Sequence, residues 1–258
     1  IFKKPYYEIP GYTSEKFRKV MWDRVKFMIS RAAGILCVSA CTAADLEKVF
    51  PGHGKPVAVT HLGLRSDLNK APLKVRDLPH TKRNYILFAG LVSIRKNVIG
   101  LLRGFHKAGL RKNFDLVLAG EQGMGWEWIE KEIQALGLTD AVKCTGYLDD
   151  TQLTYYYRHA SALAMCTYYE GFGLPALEAM AMGIPVLIGK YGSLPEVCGQ
   201  HAVSCDPFSE ESIAEGLKEV LNRPPAAVFE ATVHAQQFTW ERCAKKTREF
   251  YDRFSSGK

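Results

Sequence analysis

The feature that most constrains the fold is the regular alternation of short apolar segments and helix-like segments from residue 85 onward. The apolar segments predict strands at 85–89, 114–119, 141–145, 161–166, 184–188 and 201–205. The intervening segments predict helices at about 97–109, 125–137, 149–158, 175–182, 194–199, 209–222 and 226–237. This alternation favours right-handed βαβ units and a parallel sheet with both faces covered. We therefore predict a doubly wound, Rossmann-like α/β domain that binds its ligand at the carboxyl ends of the strands.

Residues 1–64 have a different character. They predict a basic amphipathic helix over about 14–32 and then the order strand, helix, strand at 34–38, 42–50 and 57–60. Residues 65–84 are rich in charge, contain two prolines and predict an interdomain linker. Residues 1–84 carry 16 Lys and Arg against 7 Asp and Glu, whereas the remainder carries 18 against 20. We expect two parts with different partners.

Composition is that of an ordinary soluble globular protein, with 47% apolar and 24% charged residues. The sequence contains no run of 18 apolar residues, so no transmembrane helix is expected. The seven cysteines lack zinc-site spacing and are expected to be buried thiols in a reducing compartment, which favours the cytoplasm. Because the sequence begins at Ile1, we expect it to be part of a longer or processed polypeptide.

The segment 169–186 is the strongest candidate for a ligand site. Glu170 and Glu178 lie eight positions apart on either side of a glycine loop that leads into the predicted helix 175–182. Gly171 and Gly173 let the backbone approach a ligand closely, and a helix N-terminus binds anions. A carboxylate one turn inside that helix would repel a phosphate, so Glu178 is expected to contact neutral hydroxyls such as a ribose diol.

Two other interpretations of this segment stay open. Residues 171–176 formally match the dinucleotide fingerprint G-x-G-x-x-A. That fingerprint normally opens the first strand–helix unit of a domain, whereas this one follows about the fourth strand and contains a proline. A nicotinamide or flavin site is therefore disfavoured. A purely structural strand–loop–helix is the second alternative.

Residues 170–186, E-G-F-G-L-P-A-L-E-A-M-A-M-G-I-P-V, resemble the signature of retaining GT-B glycosyltransferases of the family 4 type. Further segments resemble the same family, at 88–97, 118–120, 192–197 and 238–241. The resemblance covers roughly residues 30–255. It implies that 1–64 end an acceptor-binding, partial Rossmann-like domain and that 65–84 link it to a donor-binding domain, 85–258. The last helix, 240–254, would pack back on the first domain.

The resemblance also implies roles for individual residues. Lys96 corresponds to the diphosphate-binding lysine, and Arg95 beside it is expected to replace the family's arginine, because Leu91 stands in that arginine's place. Glu178 would bind the ribose, and Glu170 would act on the sugar side, either by orienting the sugar or by stabilising a cationic centre. The remaining expected contacts are Gly90, Gly171, Phe172, Gly173 and Leu174 with the diphosphate or sugar, and Tyr147 and Leu148 with the base. For Tyr147 and Leu148, core packing is an equal alternative.

Two further residues have structural alternatives. Glu196 lies near a predicted helix start, which predicts a helix cap rather than a ligand contact. His61 precedes Gly63 in the expected hinge region, and its role stays open.

The implied activity is metal-independent, cofactor-free transfer of a hexose from a UDP- or GDP-sugar to a glycan or lipid-linked acceptor, with retained configuration. The implied pathway is surface polysaccharide or lipopolysaccharide assembly. The alternatives are a nucleotide-sugar binding module that is inactive as this piece, and a GT-B epimerase. The basic helix 14–32 predicts either peripheral contact with an anionic membrane at the inner face or a packed helix with a solvated basic face. Nucleic acid is not an expected partner.

Overall fold

The computed structural model describes residue 8, residues 13–66 and residues 83–255. The strands are β1 Ile35–Cys37, β2 Val57–Val59, β3 Asn84–Ala89, β4 Phe114–Ala119, β5 Val142–Gly146, β6 Ala162–Met165, β7 Val186–Gly189 and β8 Val203–Cys205. The helices are α1 Glu15–Arg31, α2 Ala40–Val49, α3 Val98–Lys107, α4 Trp126–Ala135, α5 Asp150–His159, α6 Leu174–Ala181, α7 Leu194–Cys198, α8 Glu210–Leu221, α9 Pro225–Ala235 and α10 Trp240–Ser255.

The main sheet is entirely parallel and has the strand order β5-β4-β3-β6-β7-β8. The chain builds outward from β3 through β4 to β5, and then returns to place β6 on the other side of β3. The strand order therefore reverses between β3 and β6. In an open parallel sheet the crevice at such a reversal, outside the carboxyl ends of the strands, is where ligands bind.

Two apolar layers cover the two faces of this sheet. Leu87 and Val117 pack on one side with residues of α6, α7 and α9, whereas Ile86 and Leu116 pack on the other side with residues of α3, α4 and α8. Alternate residues of one strand thus enter opposite layers, and both layers are apolar. The predicted doubly wound α/β fold is confirmed.

The N-terminal part contributes α1, α2 and a separate parallel pair, β1 with β2. The last helix reaches this part, since a Cβ added to Gly34 would lie 2.5 Å from Cζ of the buried Phe250 in α10. The end of the N-terminal part also contacts the segment before α10 through a backbone hydrogen bond, in which Leu64 N donates to Phe238 O at 3.0 Å. Of the predicted linker 65–84, residues 67–82 lie outside the described residues.

The predicted elements are confirmed, with differences of one or two residues at most ends. The strand predicted at 184–188 begins at Val186 because Pro185 has no N–H to donate. The helix predicted at 42–50 begins at Ala40, since Ser39 caps it by accepting from Thr42 N. Within the described ranges, no helix is long and apolar enough to cross a membrane.

Candidate active site

The N-terminus of α6 forms the floor of the crevice. Gly173 precedes the helix with φ of 99°, a backbone conformation that side chains rarely allow, and a Cβ there would also meet Leu194. Among the described residues, the amides of residues 171–174 donate to no protein acceptor. Gly171 faces open space. Several unpaired N–H groups and the positive end of a helix dipole thus meet at one point.

Lys96 and Glu170 meet directly at this point. Lys96 Nζ lies 2.6 Å from Glu170 Oε1, and the two side chains are only 16% and 10% exposed. The sequence predicted both residues in one site but not their pairing. A cation in this place would attract an anionic ligand to the same end of α6, and the carboxylate beside it holds the cation in position.

Asn97 holds the segment that carries Lys96. A short 3₁₀ turn, Ile94–Lys96, follows the loop after β3, and Asn97 ends that turn in a left-handed conformation with φ of 57°. Its buried amide donates to Cys166 O and to Pro207 O, each at 2.8 Å. Lys96 is thereby fixed to the ends of strands from the other half of the sheet.

Glu178 is the buried member of an ionic cluster. Its carboxylate, 8% exposed, accepts from Arg65 Nε at 3.0 Å, and Arg65 Nη1 lies 2.6 Å from Asp150 Oδ1. Burial raises the pKa of Glu178, an effect that the Arg65 charge partly opposes. The buried Tyr157 ring is adjacent, and burial together with this carboxylate raises the pKa of its phenol.

A groove of about 250 Å³ extends from the end of β3. Its lining is Gly90, Leu91, Ala119, Gly120, Glu121, Tyr147, Leu148 and Leu153. Tyr147 is 74% exposed, so it forms an open wall of the groove and is not part of the core. Leu91, at the position where the resemblance implies an arginine, contributes an apolar side chain to the same groove.

Comparison with known protein families identifies the family of the chain. Residues 71–231 match the family described as glycosyl transferases group 1. The chain belongs to this family.

Curated relatives of the chain include a mannosyltransferase and a glycogen synthase, by their names. The chain is 29% identical over 253 residues to O-antigen chain mannosyltransferase B of Escherichia coli, an alignment that covers 89% of the chain and 65% of the relative. It is 27% identical over 250 residues to the glycogen synthase of Mycobacterium tuberculosis, covering 93% of the chain and 59% of the relative. The chain thus spans less than two thirds of the length of these relatives.

Solved structures show the GT-B glycosyltransferase fold. Sucrose-phosphate synthase from Thermosynechococcus elongatus superposes with a TM-score of 0.77 at 21% identity, over 98% of this chain and 65% of that one. Anabaena HepE, solved in complex with UDP and glucose, superposes with a TM-score of 0.74 at 18% identity, over 95% and 69%. The predicted GT-B type is confirmed by these similarities.

The sequence-predicted site residues of this family member form two main groups. Glu170, Lys96 and the loop 171–174 meet at the α6 N-terminus, and Gly90 with Tyr147 and Leu148 lines the groove at the end of β3. Arg95 is half-exposed and has no ion pair among the described residues, so its contact with a diphosphate stays a prediction. Within the same residues, no group of three His, Cys, Asp or Glu side chains is arranged to hold a metal ion.

Glu196 corrects one expectation. It is a cap, but for α2 rather than for its own helix, because its carboxylate accepts from Ala40 N at 2.8 Å and from Cys41 N at 2.9 Å. His61 Nε2 lies 2.7 Å from the same carboxylate. Burial alone would raise the pKa of Glu196, yet these three hydrogen bonds outweigh it, and the pKa is lowered.

Sequence reasoning noted the segment that contains Ser39 as typical of the family, but it assigned no site role to Arg65 or Ser39. Both act on residues more than a hundred positions away, Arg65 on Glu178 and Ser39 on Gly171. The position of Arg65, two residues after the Gly63 of the expected hinge, is the one signal that could have drawn attention to it.

Proposed function

We propose that this chain is the donor-binding part of a retaining glycosyltransferase of the family 4 type. It would transfer a hexose from a UDP- or GDP-sugar to a glycan or glycolipid acceptor. The observation that carries the proposal is the meeting of unpaired amides at the α6 N-terminus with Lys96 and Glu170, at the strand-order reversal between β3 and β6.

The leaving nucleoside diphosphate defines what this arrangement does chemically. The bond between the sugar C1 and the phosphate oxygen breaks, and negative charge accumulates on the diphosphate. The ammonium of Lys96 and the amides of residues 171–174 would stabilise that charge, since fixed donors in a buried site need no reorganisation during the reaction. With such donors in place, we propose a reaction that needs neither a metal ion nor a cofactor.

The sugar keeps its anomeric configuration if the acceptor attacks C1 from the same face of the sugar that the phosphate leaves. The acceptor oxygen bonds to C1 on that face, and its proton passes to the departing phosphate oxygen. Glu170 is held by Lys96 at 2.6 Å and would act on the sugar side of this site, not as a covalent nucleophile.

The nucleoside would occupy the other end of the crevice. Glu178 would accept hydrogen bonds from the ribose hydroxyls, beside or in exchange for the one from Arg65. The base would enter the groove at Tyr147 and Leu148. The buried position of Glu178 excludes water and strengthens those hydrogen bonds.

Helix α1 and the named relatives indicate where the chain works and which class of acceptor it uses. Helix α1 has no buried residue, and Phe17, Phe27 and Met28 are exposed among its basic side chains. We infer peripheral contact with an anionic membrane at its cytoplasmic face. The E. coli relative is an O-antigen chain mannosyltransferase, which favours surface polysaccharide or lipopolysaccharide assembly for this chain as well.

A thermal-shift panel with UDP, GDP, ADP and CMP tests the binding step. A ligand at ~100 times its dissociation constant adds about 2.7 kcal/mol of stability. UDP or GDP should raise the melting temperature and CMP should not. The absence of a shift with every diphosphate would refute the proposal.

One alternative has a specific observation in its favour. The chain spans 65% of the E. coli relative, and the alternative is that it binds a nucleotide-sugar without turning it over. Product formation from UDP-glucose or GDP-mannose with a glycan acceptor separates the two functions. An epimerase would instead interconvert the sugar in the absence of any acceptor.

A further inference from the structure

Two backbone carbonyls of the glycine loop are fixed by serine and threonine side chains. Glu170 O accepts from Ser193 N at 3.2 Å and from Ser193 Oγ at 3.0 Å. Gly171 O accepts from Ser39 Oγ at 2.9 Å and from Thr42 Oγ1 at 3.3 Å. Each carbonyl belongs to a planar peptide unit that also contains the next residue's N–H.

The orientation of these carbonyls determines where the amides point. In a trans peptide the C=O and the following N–H point in opposite directions. Because Gly171 O points toward α2, the N–H of Phe172 points away from α2. Phe172 N has no protein acceptor among the described residues, so its direction is set by the partners of Gly171 O.

The groups that hold Gly171 O come from the other part of the protein. Ser39 and Thr42 belong to the first turn of α2, and Ser39 precedes Gly171 by 132 residues. Ser39 is fully buried, and its Oγ accepts from Thr42 N at 3.0 Å. Its Oγ also lies 2.8 Å from Thr42 Oγ1, so the two hydroxyls hold Gly171 O as a pair.

Two further contacts hold α2, one from the residue before the glycine loop and one from α7. Tyr169 donates from its hydroxyl to Asp45 Oδ2 at 2.6 Å. Glu196 accepts from the amides of Ala40 and Cys41 at the start of α2. The first turns of α2 are therefore held by Tyr169, which precedes the glycine loop, and by Glu196 of α7.

We propose that Ser39, with Thr42 as a weaker second, is a positioning residue that aims the Phe172 N–H at the donor diphosphate. This inference rests on the proposed function, since it assigns that amide to the phosphates. Its consequence is that donor affinity depends on a helix outside the predicted donor-binding domain. A carbonyl released by loss of Ser39 would let the peptide unit rotate, and the amide would have to be reoriented at each binding event.

Isothermal titration of the chain with UDP and GDP, and with uridine and guanosine, tests this proposal. Ser39→Ala should weaken diphosphate binding by about three- to tenfold, the range for one neutral hydrogen bond. It should leave nucleoside binding unchanged, because the nucleosides lack the phosphates that Phe172 N–H contacts. The matched control is Ser209→Ala, which removes the equivalent cap of α8, an acceptor for Ser212 N at 3.2 Å, and should leave all four affinities unchanged.

Wild-type affinity of Ser39→Ala for both UDP and GDP would overturn the proposal. An equal loss for diphosphates and nucleosides would also overturn it, because such a loss indicates general destabilisation. Thr42→Val covers the case in which Ser39→Ala does not fold, and should give a smaller loss confined to the diphosphates. An equal loss for diphosphates and nucleosides, or no loss, in that variant would also overturn it. Wild-type chain that binds neither UDP nor GDP would refute the proposed function itself, and this inference with it.

Discussion

Removal of the Glu178 carboxylate should weaken nucleotide binding strongly. The carboxylate is 8% exposed and accepts from Arg65 Nε, so it is already organised to accept hydrogen bonds in a site with little water. A hydrogen bond to a charged group contributes about 1.5–3 kcal/mol. Glu178→Ala should therefore reduce the affinity for UDP or GDP by about 10- to 150-fold.

The same variant should lose a moderate amount of stability. Breaking a fully buried ion pair costs about 3–5 kcal/mol, because the remaining charge is left without a partner. Arg65 is 23% exposed and keeps Asp150, which is itself 74% exposed, so we expect a cost below that range. Chemical denaturation of wild type and variant gives this number, and it also shows that the variant is folded when its affinity is measured.

Calorimetric titration with UDP and GDP provides the affinities. Glu132→Ala is the matched control, because it removes a carboxylate that accepts from Arg103 Nε at 2.7 Å far from the crevice. That control should bind nucleotide as wild type does. If folded Glu178→Ala binds UDP and GDP with wild-type affinity, Glu178 is not the ribose acceptor.

Three further predictions concern the same crevice and its surroundings. Lys96→Ala should weaken UDP or GDP binding more than Arg95→Ala in titrations. A larger loss in Arg95→Ala would identify Arg95, and not Lys96, as the cation that binds the diphosphate. Sugar transfer by the complete polypeptide should persist in EDTA, and loss of product formation would contradict a metal-free mechanism. The lowered pKa of Glu196 stabilises the fold above the ordinary glutamate pKa, near 4.5, and this contribution disappears as the pH falls through the lowered value. Acid unfolding of Glu196→Gln should accordingly show a flatter pH dependence than wild type, and an identical curve would refute that assignment.

The elements of this fold were predictable because they depend on local patterns. Continuous apolar runs such as 114–119 match a strand covered on both faces, and the glycine loop before α6 has a recognisable spacing. The pairings within the crevice were not predictable, since Arg65 and Glu178 are 113 residues apart and neither residue's surroundings in the sequence indicate the other. Glu196 shows the same limit: its type and position predicted a cap, but only the packing of two distant segments decides which helix it caps.

The reversal of strand order between β3 and β6 has a consequence for how this protein folds. Lys96 and Glu170 are separated by 74 residues in the chain. They meet only when β6 pairs with the side of β3 that β4 and β5 leave free. Contacts of such long sequence separation form slowly, because chain entropy is lost before the contact compensates for it. A chain with only β3, β4 and β5 assembled would have a formed half-sheet and no nucleotide affinity. Under the proposed function, nucleotide would stabilise the chain only after the two halves of the sheet have joined, so it would act on folding as well as on catalysis.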